Sequence, residues 1–212
     1  MGRAHRIDRP GSYYHVGSRG NNRQWIYVAE IDRLIQLELM ERVARRHGWV
    51  VYAYCQMTNH YHLVLHTPEG GLSDGMQVLN GEFSRRTNRV HGRTGHLVQN
   101  RFAYRIIESE QHLFEACRYV HLNPVRAGLC GVPEDWQWSG HRAALGLELP
   151  ETFFAVGALL RLFGTRLDDA RDVYRAFVDA GHGRVSDTPD IAELDVTFWD
   201  EFASDSLRVM TG

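Results

Sequence analysis

The chain has 212 residues, 43% hydrophobic and 24% charged, a mixture that excludes disordered and fibrous proteins and suits one core, with or without an appendage. All 24 basic residues are arginine, so a Walker-type phosphate loop, a Schiff-base site and a pyridoxal site are excluded, because each needs a lysine. The net charge of −2 hides two halves of opposite sign: residues 1–128 hold 17 Arg against 11 acids, residues 129–212 hold 7 against 15.

Taken in chain order, SYYHVGS (12–18) is aromatic and β-prone and reads as a strand, ending in the polar loop Arg19-Gly20-Asn21-Asn22-Arg23. Residues 29–47 place apolar side chains at 31, 34, 35, 39 and 43, which is helical spacing, and Gly48 stops the helix. Trp49 to Met57 and His60 to His66 read as two strands joined by a turn at Thr58-Asn59. A helix follows over 72–90, then a strand over Arg101 to Ile107, then a helix from 110 that should end near Asn123-Pro124. The order β-α-β-β-α-β-α is the split βαβ pattern, an α+β ferredoxin-like antiparallel sheet. With its helices on one face, such a sheet leaves the other free for chemistry. Beyond Gly128 the strand signals fade. Short helices are expected over 153–163, 168–180 and about 190–204, so the chain divides into residues 1–130 and a small helical C-terminal extension, 131–212.

Three cysteines (55, 117, 130) form no CxxC pair, and the odd count argues against a disulfide framework. The N-terminal MGRAHRIDRPG has no apolar core of a signal peptide, and the longest apolar run is Phe153 to Leu160. The expectation is a soluble, cytoplasmic protein without a membrane segment.

Two features carry chemistry. His60 and His62 are two apart on a strand, so both imidazoles share a face and could bind a divalent cation with a third ligand. Strand histidines also serve as packing or hydrogen-bonding residues. Tyr119 and Asn123 are four apart, so on a helix they share a face. A half-buried tyrosine and a plain helix cap before Pro124 would look the same. The basic half points to a polyanionic partner, although solvated surface charge gives the same count.

The succession YHVGSRGNNRQ, MTNHYHLVL, GHLVQNRF, RYVHLNPVRAGL and PEDWQWSGHRAALG closely resembles the REP-associated tyrosine transposases, relatives of the HUH-type transposases that act on single-stranded DNA. The resemblance runs from about Tyr13 to Gly146. It implies that His60 and His62 hold a divalent metal, Mg²⁺ or Mn²⁺, completed by Asn123. It implies Tyr119 as the nucleophile of a 5′-phosphotyrosine link, and places Asn21, Arg19, Arg23, Gln99 and Arg101 near bound DNA. Thr58 stands where the family usually has proline. The implied activity is metal-dependent cleavage and rejoining of single-stranded DNA at palindromic repeat hairpins, by a monomer or a homodimer, the monomer being favoured.

Arginines suit phosphates and aromatics suit unstacked bases, which makes Arg19, Arg23, Arg85, Arg86, Arg101 and Arg105 the DNA-binding candidates. Two other classes share the residues: a non-catalytic nucleic-acid-binding module on the same platform, and a metal-dependent phosphodiester hydrolase without a covalent intermediate. The acidic stretches Asp168 to Asp179 and Asp187 to Asp205 could fold over the DNA-binding face or simply pack as helices with solvated outer sides.

Overall fold

A computed structural model of the chain describes residues 8–99 and 101–182. Strand β1 (Ser12–Arg19) leads to helix α1 (Glu30–His47), the hairpin β2 (Val50–Gln56) and β3 (His60–Thr67), helix α2 (Leu72–Val90), strand β4 (Ala103–Ile107) and helix α3 (Glu110–Arg126). Helices α4 (His141–Ala144), α5 (Val156–Arg161) and α6 (Leu167–Asp179) complete the described part. The strands form one sheet in the order β2-β3-β1-β4, every pair antiparallel, as the ferredoxin-like pattern requires. Gly48 ends α1 in the left-handed conformation, at φ 63°, which glycine adopts without a Cβ penalty. The helix expected over 190–204 and the stretch Asp187 to Asp205 lie outside the described residues.

The register assigns the two faces. Gly17 lies opposite His62, Arg19 opposite His60, and His15 opposite both Val64 and Arg105, so these residues share one side. Ser18, Tyr61 and Gln56 belong to the other. Tyr61 donates to Asn80 of α2 at 2.7 Å, Asn80 donates to Ser18, and Gln56 donates to Gln36 of α1 at 3.0 Å, so α1 and α2 cover that second face. Helix α3 lies on the first face, where Asn123 meets His62. The sheet is therefore covered on both sides, and the face expected to stand free is roofed by α3.

Helix α3 also corrects its expected end. It runs through Pro124 to Arg126, with the N–H of Ala127 bonded to the carbonyl of Asn123. Pro124 removes one intrahelical donor and disfavours the α conformation at Asn123. Burial of Val120, Leu122, Asn123 and Pro124 offsets that local preference.

Residues 131–182 brace α3 from behind and cover the β2 edge. The N–H of Gln56 bonds to Trp138 and that of Ala155 to Val51, satisfying edge groups of β2 that would otherwise be open to another chain. Leu159, Leu160, Tyr174 and Val178 belong to the same buried cluster as the sheet residues, so one core spans the expected division at residue 130. A Cβ at Gly181 would lie 2.7 Å from Arg118 and 2.8 Å from Leu122, so only glycine lets the chain approach α3 this closely. The described acidic stretch, on α6, thus packs behind α3.

Arg33 of α1 anchors the hairpin turn. Its guanidinium donates to the carbonyls of Gln56 and Met57, both at 2.8 Å, and stacks on Tyr27, Trp136 and Trp138 at 4.5, 5.4 and 5.1 Å from the ring centroids. Both carbonyls immediately precede the turn that delivers His60. Arg33→Met should take this donor from the Met57 carbonyl while the Gln56 carbonyl keeps the indole N–H of Trp136, costing roughly 1–3 kcal/mol in urea denaturation, and Arg33→Lys should recover only part, because an ammonium lacks the fork.

Behind α3, His121 bonds to the hydroxyl of Tyr174, and His141 lies fully buried beside them, its Nε2 3.8 Å from Glu134. Burial, against the opposing pull of Asp179, pushes His141 down to about 4. The folded protein keeps this imidazole neutral while the unfolded chain takes up a proton below about pH 6.5, so its contribution is intact above neutrality and drains away between about pH 6.5 and 4. Comparing stability at pH 7.5 and 4.5, His141→Phe should lose less than wild type, by up to roughly 3 kcal/mol.

Candidate active site

The site forms where β1 and β3 end beneath α3. His62 is fully buried, and His60, Asn123 and Tyr119 are 8%, 6% and 5% exposed. Asn123 Nδ2 lies 3.0 Å from His62 Nε2, and the ring of Tyr119 meets that of His62 edge-on at 5.8 Å between centroids. The helix places Tyr119 and Asn123 one turn apart on its sheet-facing side, as their spacing demands. His60 Nδ1 lies 2.7 Å from Asn59 Oδ1. Because the amide oxygen can only accept, the proton sits on Nδ1 and leaves Nε2 as the donor atom for a ligand. Gly17, beside His62 on the sheet, contributes no side chain and so leaves room at the floor.

Three residues join the site that the sequence reading did not place there. His15 of β1 is fully buried, with Nε2 3.2 Å from His62 Nδ1 and its ring 5.7 Å from that of Tyr119. Arg126 holds its guanidinium 5.2 Å from the centroid of the Tyr119 ring. Asn59 orients His60 through its oxygen while its nitrogen donates to the carbonyl of Arg23. Arg126 was legible in principle: Tyr119, Asn123 and Arg126 are spaced i, i+4, i+7, one helix face once the helix is read through Pro124. His15 had only its strand parity to signal it, because pairing partners are not written in the sequence.

The electrostatics favour neutral imidazoles. Burial, with His112 and Arg105 nearby, pushes His15 down to about 3, and burial with His15 and Arg19 holds His62 well below its ordinary value. Neutral imidazoles are the form that binds metals. No three His, Cys, Asp or Glu side chains converge as a metal-holding group among the described residues. The polar side chain beside the two histidines is Asn123, whose Nδ2 faces His62; rotated about its last bond, the amide would present its oxygen there instead and could serve as a third ligand. Two imidazole nitrogens and one amide oxygen suit a borderline divalent cation that keeps open positions for substrate oxygens.

The arginines divide between the layers. Arg19 and Arg105 lie on the site face of β1 and β4, in register with His60 and His15. The N–H of Gln99 bonds to the carbonyl of Arg19, and the N–H of Asn21 to the carbonyl of Leu97, so the segment bearing Gln99 runs along the end of β1, with Arg101 just beyond it. Asn21 and Arg23 are exposed on a loop tied to Asn59, beside His60. Thr58, where proline is usual, accepts at its carbonyl the N–H groups of Ile26 and Tyr27, and so helps hold that loop. Arg85 and Arg86 are elsewhere: both belong to α2 across the sheet, paired with Glu82 and, bidentately, with Glu38. The structure does not bring them to the site.

Residues 9–123 match the family described as IS200-like transposases. The chain belongs to that family. Over 111 residues it is 28% identical to a protein of Haemophilus influenzae that carries the name of a REP-associated tyrosine transposase, a match covering 47% of this chain and 63% of that one. A solved REP-associated tyrosine transposase bound to a REP hairpin has the same fold, with a TM-score of 0.59 and 17% identity over 69% of this chain and 86% of the other. No helix among the described residues is long and apolar enough to cross a membrane.

Proposed function

We propose that this transposase-family chain cleaves and rejoins single-stranded DNA at palindromic hairpins through a phosphotyrosine formed on Tyr119. The observation that carries the reading is the convergence of Tyr119 and Asn123, from one face of α3, on His62 of the sheet. Hairpin DNA as the partner rests on the family and on the ligand of the structurally similar transposase.

In this reading His60, His62 and the amide oxygen of Asn123, turned from its present hydrogen bond to His62, would hold Mg²⁺ or Mn²⁺, which would polarise the scissile phosphate and stabilise charge developing on it. The phenol oxygen of Tyr119 attacks phosphorus, the P–O3′ bond breaks, and the 3′-oxygen leaves and takes up a proton as the phenol loses its own. Attack by a 3′-hydroxyl on the phosphotyrosine reverses the exchange and rejoins DNA, so the bond energy is conserved and no nucleotide is consumed. A phenol of ordinary pKa is about 0.1% ionised at neutral pH, a handicap of roughly 4 kcal/mol. Arg126 holds its guanidinium 5.2 Å from the centroid of that ring, so a cation stands beside the group that would attack. Since only 5% of Tyr119 is exposed, the substrate phosphate must displace part of the packing between α3 and the sheet.

Incubation with a labelled hairpin carrying a single-stranded flank, plus Mn²⁺, should give a denaturation-resistant protein–DNA adduct. Tyr119→Phe should abolish it while leaving hairpin affinity within about threefold. An adduct on the Phe variant would assign the nucleophile elsewhere, and cleavage without any adduct would favour the hydrolase reading.

The layer assignment makes a separate claim about binding. Arg19→Ala and Arg105→Ala should each weaken hairpin affinity at least fivefold and flatten its salt dependence, the log–log slope falling by roughly 0.7 for each phosphate left without its arginine. The double variant Arg85→Ala, Arg86→Ala should bind within twofold of wild type, measured by fluorescence anisotropy.

A further inference from the structure

The hydrogen bonds that run inward from Asn123 have a fixed direction. The Asn123 amide places its nitrogen 3.0 Å from His62 Nε2, and an NH₂ group can only donate, so His62 Nε2 carries the lone pair. A neutral imidazole has one proton, which must then sit on His62 Nδ1. That atom lies 3.2 Å from His15 Nε2, which accepts it, leaving the His15 proton on Nδ1. His15 is wholly enclosed, its Nδ1 has no hydrogen-bond partner among the described residues, and its ring is wedged between those of His62 and Tyr119. The bond to His62 is thus the one hydrogen bond that accounts for a polar residue at this position.

We infer that His15 is a positioning residue that locks His62 in the Nδ1–H tautomer and aims its Nε2 lone pair at the space shared with Asn123. The inference rests on the metal site proposed above. Its logic is that of an outer-shell partner: a ligating imidazole needs an acceptor at its far nitrogen to fix both tautomer and ring orientation. For His60 that acceptor is Asn59, a neighbour in sequence; for His62 it is His15, from the adjacent strand. Without His15 the His62 ring could carry its proton on Nε2, turned toward the Asn123 oxygen, a state that cannot ligate.

The test uses the full chain without DNA. His15→Phe keeps an aromatic ring and removes the acceptor, and His15→Gln places an amide oxygen close to the position of Nε2. By calorimetry, Mn²⁺ affinity should fall about 10- to 100-fold in His15→Phe and return to within about threefold of wild type in His15→Gln. Long-range ¹H–¹⁵N spectra of ring-labelled protein in Mg²⁺ should show Nδ1–H for His62 in wild type and loss of that pattern in His15→Phe. A residue that merely packs would change thermal stability but neither the tautomer nor the rescue. If His15→Phe does not fold, His15→Asn replaces it, because its shorter amide stops short of His62. Mn²⁺ binding that His62→Ala abolishes but His15→Phe leaves within twofold of wild type would overturn the role of His15 alone. Wild-type protein that binds no Mn²⁺ would overturn the metal reading and this inference together.

Discussion

The contact between His62 and Asn123 is the constraint on which the rest of the site depends. It joins a strand to a helix on the opposite side of a buried interface, and each partner reaches it only through longer-range structure. His62 is held in place by its register with Gly17 and Cys55, in the middle of the sheet. Asn123 faces it only because α3 stays helical across Pro124. A helix that broke at Asn123 would turn the amide away from His62 and separate it from Tyr119. The burial that holds this turn helical is therefore also what brings the proposed donor set together.

How much of this was legible in the sequence differs with the range of the interaction. The elements of the ferredoxin-like order could be read because hydrophobic period and turn chemistry are local. The pair His60 and His62 could be read because alternation along one strand needs no partner. The roof over the histidines could not, because which sheet face α3 covers is decided by packing across the whole domain. The stop at Asn123 was misread for a related reason: the preference of a residue before proline is a local term, and burial of Val120, Leu122 and Pro124 outweighs it. His15 was hidden most completely, since its significance lies in being one strand away from His62. Arg85 and Arg86 show the converse, charge read without knowledge of layer: they lie across the sheet from the histidines, paired with Glu82 and Glu38.

The distribution of charge fits a polyanion on the site side. The four strands contain no Asp or Glu, whereas Arg19 and Arg105 project from the face that bears the histidines. Across the sheet, Arg85 and Arg86 of α2 are answered by Glu82 and Glu38 within their own layer. The excess of arginine in the first 128 residues is therefore not spread evenly. Part is paired with carboxylates across the sheet, and part lies beside the buried imidazoles. Because all its Lys/Arg cations are arginine, the chain would meet phosphates with planar forks, which hold an oxyanion in two bonds and fix its orientation better than an ammonium does.

The C-terminal part answers a mechanical requirement that this arrangement creates. A helix bearing Tyr119 on one side and resting on a sheet of imidazoles would be free to tilt if its outer side met only water. Here that side is occupied: His121 bonds to Tyr174, Arg118 stacks on Phe177, and Gly181 lies against Arg118 and Leu122. His121 and Leu122 lie between Tyr119 and Asn123 in sequence, so every turn of α3 that offers a reactive group inward is gripped from behind. The same grip sets the cost of admitting a phosphate, because α3 cannot lift from the sheet without disturbing contacts on both its sides. Placing the described acidic helix behind α3 also keeps its carboxylates out of the site. Its acidity there is the ordinary outer face of a buttress.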